Sequence, residues 1–184
     1  MAGRTDNVRD PALAADLLLA RRGQAFFSRV LGDLPDARLS GPSRVSGWTR
    51  AHVVAHVGLD AREIARVIEA LRTSDEDPLL ASPGERREEI DFAATLPVEA
   101  LRNLAAHAAV HLNVEWRDLP EERWNRPIRV AKGAVVTARE TVRRRAREVW
   151  GRALDLDGGA READVPPEIR DHLPLPSPVS PRSP

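Results

Sequence analysis

Four stretches of this chain place apolar residues at three- and four-residue spacing, and that periodicity constrains its fold more than any other feature. The first stretch opens at Asp10-Pro11, a capping residue followed by proline at the first helical position, and carries Leu13, Leu17, Ala20, Phe27 and Leu31 on one side. The second follows Thr49, with Val53, Val57, Ile64, Ile68 and Leu71. The third starts near Thr95 and Pro97 and aligns Leu101, Leu104, Ala108 and Leu112. The fourth opens on "TARE", Thr137 to Glu140, where two side chains cap orphan N–H groups reciprocally, and continues through Val142, Ala146, Val149 and Ala153. Each helix must bury its stripe against the others. The expected fold is all-α, a four-helix bundle over residues 10–156 whose sites form between facing helices.

At 184 residues the chain has the length of one domain with a real core. Lys+Arg and Asp+Glu both number 28, so the formal net charge is zero. That balance argues against a nucleic-acid footprint and against a polybasic membrane anchor. No apolar run reaches 18 residues, and the opening "MAGRTDNVRD" is polar, unlike a signal peptide. Without cysteine there is no disulfide, no thiolate nucleophile and no Cys-ligated metal. The expectation is a soluble, cytoplasmic protein with no nucleic-acid or membrane partner.

Between the third and fourth helices, "RPIRVAKGAVVTA" (Arg126 to Ala138) alternates on either side of Lys132-Gly133, which predicts a short β-hairpin. "TSDEDPLLASPGERREE" reads as a long polar connection over one end of the bundle. From Pro166 onward, seven of the fifteen prolines fall in nineteen residues. Residues 1–157 are therefore assigned to the bundle, and 158–184 to a proline-rich tail, partly extended or disordered.

Histidines are the natural chemical groups here. "HVVAH" sets His52 and His56 four apart on the second helix, and "HAAVH" does the same for His107 and His111 on the third. At about 100° per residue, His56 lies at the edge of its apolar stripe, with Asp60 nearer the middle and His52 turned toward solvent. His111 is also a stripe-edge residue, while His107 points away. Periodicity alone leaves each of these equally readable as a surface or hydrogen-bonded histidine. On the fourth helix, Thr141, Arg145, Glu148 and Arg152 project within about 60° of one another. A Glu between two Arg residues is either a solvated ion-pair ladder or a site.

Several motifs, in order, resemble one family. "GWTRAHVVAHV", "SPGERREEID", "ALRNLAAHAAVHLNVEWRD" and "ETVRRRAREVWGRALDL" are similar to the mycothiol-dependent maleylpyruvate isomerases, DinB-like four-helix proteins, over nearly the whole chain to about His172. The resemblance implies one zinc held by a His of the second helix and by a Glu and a His of the fourth. Residue by residue, these ligands fall on His56, Glu148 and Arg152. Arginine has no lone pair to give and stays protonated, so it is no metal ligand. His111, Asp60 and His52 are the conceivable replacements. The family's isomerases also carry a further C-terminal domain that helps bind mycothiol, where this chain has its proline-rich tail.

The leading expectation is an enzyme acting on a small anionic, carboxylate-bearing substrate by acid–base chemistry, with no cofactor. His56, Glu148 and Arg152 are its catalytic candidates, and Arg152, Arg145 and Asp60 its substrate-binding candidates. The surplus of Arg145 and Arg152 over Glu148 would favour the anion. One alternative is a zinc- and mycothiol-dependent isomerase or thiol transferase with an unconventional third ligand. The other is a non-catalytic small-molecule binding or interaction protein. The four tryptophans, Trp48, Trp116, Trp124 and Trp150, are expected to pack the bundle ends or line the pocket.

Overall fold

The computed structural model describes residues 6–82, 84–130 and 133–173. Asp10 accepts the backbone N–H groups of Ala12 at 2.8 Å and Leu13 at 3.3 Å, and α1 (Pro11–Asp33) starts there. The next helix, α2 (Arg50–Thr73), is capped by Thr49. Its hydroxyl accepts the N–H of His52, and the Thr49 N–H is accepted in turn by His52 Nδ1 at 3.3 Å. A histidine thus takes the place that Glu usually fills in such a box. The polar connection then carries two elements that its sequence hides, a two-residue strand β1 (Leu79–Leu80) and a short helix α3 (Arg87–Ala93). Both are too short for a hydrophobic period to register.

After Pro97 comes α4 (Val98–Asp118), followed by β2 (Pro127–Val130) and β3 (Val135–Thr137). The helix α5 (Ala138–Asp155) starts on the Thr137–Glu140 box, in which the Thr137 N–H donates to Glu140 at 2.6 Å. A short α6 (Pro167–Arg170) comes last. The strands β2 and β3 pair antiparallel, with Ile128 opposite Val136, and Gly133 between them has φ 77°, a conformation that favours glycine. Lys132 lies outside the described residues. The chain is mostly helical, as expected, and β1 adds in parallel to β2, so that the strands make a three-stranded sheet. The third strand comes from a long-range pairing that local pattern does not announce.

Four long helices enclose the core. The helix α1 lies along α5, and α2 lies along both α4 and α5. Two glycines permit the closest approaches. A Cβ on Gly23 of α1 would come within 2.6 Å of Val149 and 2.7 Å of Trp150 on α5. A Cβ on Gly58 of α2 would stand 2.9 Å from Leu104 and 3.2 Å from the backbone of Ala105 on α4. The inner stripe of α5 is built of small residues, Ala138, Val142, Ala146, Val149 and Ala153, all fully buried, which lets this arginine-rich helix sit deep in the fold. Among the described residues, no helix is long and apolar enough to cross a membrane.

The segment just past residue 157 is packed rather than loose. Ala160, Val165 and Ile169 are buried against the helices, and α6 forms within it. Residues 174–184 of the tail expected to be partly extended or disordered lie outside the described residues.

Candidate functional site

Helix phase brings His56 of α2 against Glu148 of α5. His56 is 1% exposed, and its Nε2 is hydrogen-bonded to Glu148 Oε1. Arg152, one turn further along α5, donates from Nε to the same Oε1 at 2.7 Å and from Nη1 to Asp155 Oδ2 at 2.8 Å. Trp48, on the segment leading into α2, closes the group: its ring lies 5.4 Å from the His56 ring and 5.6 Å from the Arg152 guanidinium carbon. Glu148, Arg152 and Asp155 are each about a quarter exposed, so the cluster meets solvent on their side. His56 Nδ1 is buried and hydrogen-bonds to nothing.

The electrostatics follow from this contact list. Burial works against ionisation of Glu148, but the His56 hydrogen bond and the Arg152 charge outweigh it and hold the carboxyl far below the usual carboxylate range. Glu148 is therefore a carboxylate, and an acceptor only. His56 Nε2 must then carry a hydrogen, which in the neutral ring leaves the lone pair on Nδ1. Asp155 behaves oppositely: burial raises its pKa, the Glu148 charge adds to this, and Arg152 only partly offsets the rise. Burial also disfavours the charged form of Arg152, but the two carboxylates more than compensate and push its pKa up.

Arg145 and Asp60 lie elsewhere than expected. Arg145 is 2% exposed, and its hydrogen bonds go to Asp60 Oδ2 at 3.0 Å, the Val57 carbonyl at 3.0 Å and Gln24 at 3.0 Å. Arg144 donates to Asp60 Oδ1 at 2.8 Å. This second cluster ties α1, α2 and α5 together. The positive surplus expected beside Glu148 is not found there, because Arg145 is bonded across the helices to Asp60 while Asp155 balances Arg152. Burial lowers the Arg145 pKa, and the Asp60 charge opposes the drop.

The other candidates also have settled places. The His52 ring serves the Thr49 cap, with Nε2 3.7 Å from Asp91. His111 is exposed and stands 3.5 Å from Glu115, and His107 is exposed on α4. Trp150 stacks on Phe26, and Trp116 and Trp124 are buried in the core. Sequence reasoning missed Asp155, although its three-residue spacing from Arg152 was a readable signal. It also missed Arg86 and Arg144, whose meeting with Asp60 depends on tertiary packing.

The zinc implied by the family resemblance can be tested against these donors. His56 and Glu148 are bonded to each other, and the third position holds a cation that donates into the same Glu148 oxygen. A catalytic zinc takes lone pairs from three protein ligands and leaves the fourth position to water or substrate. Among the described residues, no three His, Asp or Glu side chains gather as a group able to hold a metal. The donor set does not fit a zinc ion.

Residues 20–157 match the family model described as the mycothiol maleylpyruvate isomerase N-terminal domain. A crystal structure of the mycothiol-dependent maleylpyruvate isomerase is similar at 39% identity with a TM-score of 0.79, and a histidine-to-alanine mutant of it at 38% and 0.79. Both alignments cover 85% of this chain and 65% of the other, so the chain spans about two thirds of the length of its structural relatives. No curated protein matches. With three quarters of its length under the family model, the chain belongs to the mycothiol maleylpyruvate isomerase N-terminal domain family.

Proposed function

We propose that the chain is a maleylpyruvate-isomerase-like enzyme whose zinc position has been rebuilt into an acid–base group for a small, carboxylate-bearing substrate. The observation that carries this reading is the His56–Glu148 pair, a buried imidazole oriented by a carboxylate with its other nitrogen unpartnered. Nδ1 of His56 takes the proton from the carbon between the substrate carbonyl and its double bond and returns it two carbons further along, so that the double bond moves into conjugation. Glu148 stabilises the imidazolium in between. No atom is gained or lost, so the reaction class is isomerisation, and a small unsaturated oxo acid is the substrate class that the relatives suggest. Arg152 fixes Glu148, and its Nη2, without a hydrogen-bond partner among the described residues, is placed for one bond to the developing enolate oxygen. Trp48 is the cover that shifts to admit substrate. In this reading α1, α2, α4 and α5 are the four helices of a DinB-like bundle, and β2 and β3 form its hairpin.

The test is turnover of a small β,γ-unsaturated oxo acid by the full chain in the presence of a chelator, with maleylpyruvate alongside as the cis–trans substrate, followed by the vinyl proton signals in NMR spectra. The expected result is metal-independent isomerisation that falls by about 10²-fold or more in His56→Ala. Turnover only after zinc and mycothiol are added would support the thiol-dependent alternative instead. No turnover under any condition would support a binding protein.

A further inference from the structure

Arg86, just before α3, is 8% exposed, yet none of its three guanidinium nitrogens has a hydrogen-bond partner. Its nearest carboxylate is Asp60, 3.8 Å from Nη2 and beyond hydrogen-bond reach. Asp60 already accepts Arg144 on one oxygen and Arg145 on the other. Three guanidinium groups therefore share one carboxylate. A buried cation whose donors make no hydrogen bond among the described residues, and whose carboxylate is shared with two other arginines, is costly to the fold, which argues that it is kept for a ligand.

A cavity of about 410 Å³ adjoins this group. Its buried lining is Leu59 and Arg86, while Arg62, Arg66 and Glu89 are exposed around it. Arg62 pairs with Glu89 at 2.6 Å, and Arg66 pairs at 2.7 Å with Glu63, a largely buried lining carboxylate that also feels the Arg86 charge. Glu69 and His111 are exposed lining residues as well. Arg86 is the buried cation of this cavity, and it hydrogen-bonds to neither Asp60 nor Glu63. Asp60 lies one helical turn from His56 on α2, and Arg145 stands three residues before Glu148 on α5.

We propose that Arg86 is an anion subsite that holds the carboxylate of a small organic acid beside Asp60, which itself lies about one helical turn from His56 on α2. The proposal rests on the acid–base reading above and names where that substrate is gripped. A planar guanidinium matches a planar carboxylate at two points.

The probes are maleate and inorganic phosphate, titrated calorimetrically into the full chain and into Arg86→Met, Arg86→Lys and Arg62→Met. Maleate is expected to bind, to weaken at least about tenfold in Arg86→Met, to fall between in Arg86→Lys, and to be unchanged in Arg62→Met. The thermal midpoint of ligand-free Arg86→Met should hold or rise. If that variant does not fold, Arg86→Lys supplies the comparison, because it keeps the charge and loses the fork. The proposal is overturned if the parent binds no maleate, if Arg86→Met binds it as the parent does, or if phosphate binds as tightly. Glu148→Gln separates the two readings: it should lose turnover and keep maleate affinity. Maleate binding that depends on Arg86 in a chain with no turnover would sink the catalytic reading alone. Turnover with an unchanged KM in Arg86→Met would sink the subsite alone.

Discussion

Two charged clusters stand one turn apart on α2 and on α5, and they solve opposite problems with the same residue types. Around Glu148, Arg152 is flanked by two carboxylates, all three are partly open to solvent, and the unpartnered atom is a histidine nitrogen. Around Asp60, one buried carboxylate faces Arg86, Arg144 and Arg145, and the unpartnered atoms are cationic donors. The first cluster is built largely within α5 at three- and four-residue spacing. The second joins α1, α2, α5 and the segment before α3. The difference is one of reach: the Asp60 cluster ties three helices to one another, whereas the Glu148 cluster leaves a buried imidazole nitrogen without a partner among the described residues, the atom on which the proposed proton transfer rests.

The largest effect that this contrast predicts is at Asp60. Asp60→Ala leaves buried arginines with no carboxylate and should cost about 3–5 kcal/mol, read as a lower urea midpoint. Loss of under about 1 kcal/mol would mean that water already shields those cations and that the cluster does not hold the helices. A close second is packing. Gly23→Ala should cost about 1–3 kcal/mol through overpacking, because the new methyl meets Val149 and Trp150 of the helix that carries Glu148. An unchanged midpoint would show that α1 can move away from α5 freely.

A smaller effect, with opposite signs inside one cluster, is expected from pH. The Glu148 pKa is depressed on folding, so its contribution is present above its unfolded value, near 4.5, and is lost as pH falls toward the folded value. Asp155 is raised, so its charged form costs stability at neutral pH, and the cost is relieved as pH falls through the raised value. Glu148→Gln should therefore flatten the acid limb of the thermal midpoint against pH, with a drop of a few degrees at pH 7. Asp155→Asn should hold or raise the midpoint at pH 7. The same direction for both variants would break the assignment.

How much of this was legible in the sequence depends on the range of each interaction. The stripes and the caps at Asp10, Thr49 and Thr137 are local patterns, and α1, α2 and α5 begin where they point. The short β1 and α3 have no such pattern. His56 and Glu148 were readable from helix phase, and the family motifs singled them out from the other candidates. The partner of Arg145 was not readable, because helix phase placed it beside Glu148 while tertiary packing turned it to Asp60. Arg86 sits in "PGERREE", where nothing local distinguishes it from its arginine and glutamate neighbours.

The smallest perturbation of stability falls on Arg152, which is surface-accessible and bonded within its own helix, so Arg152→Ala should cost no more than about 1 kcal/mol. It should nevertheless remove turnover, since the bond that fixes Glu148 is lost. The central claim, that a zinc position has been rebuilt around this arginine, is tested most directly by metal content. Parent protein and Arg152→His, each purified and dialysed against zinc, would be measured for zinc per chain. Well under one equivalent is expected in the parent and a clear gain in Arg152→His, where His56, Glu148 and the new imidazole form a three-ligand set. A full equivalent of zinc in the parent would contradict the claim.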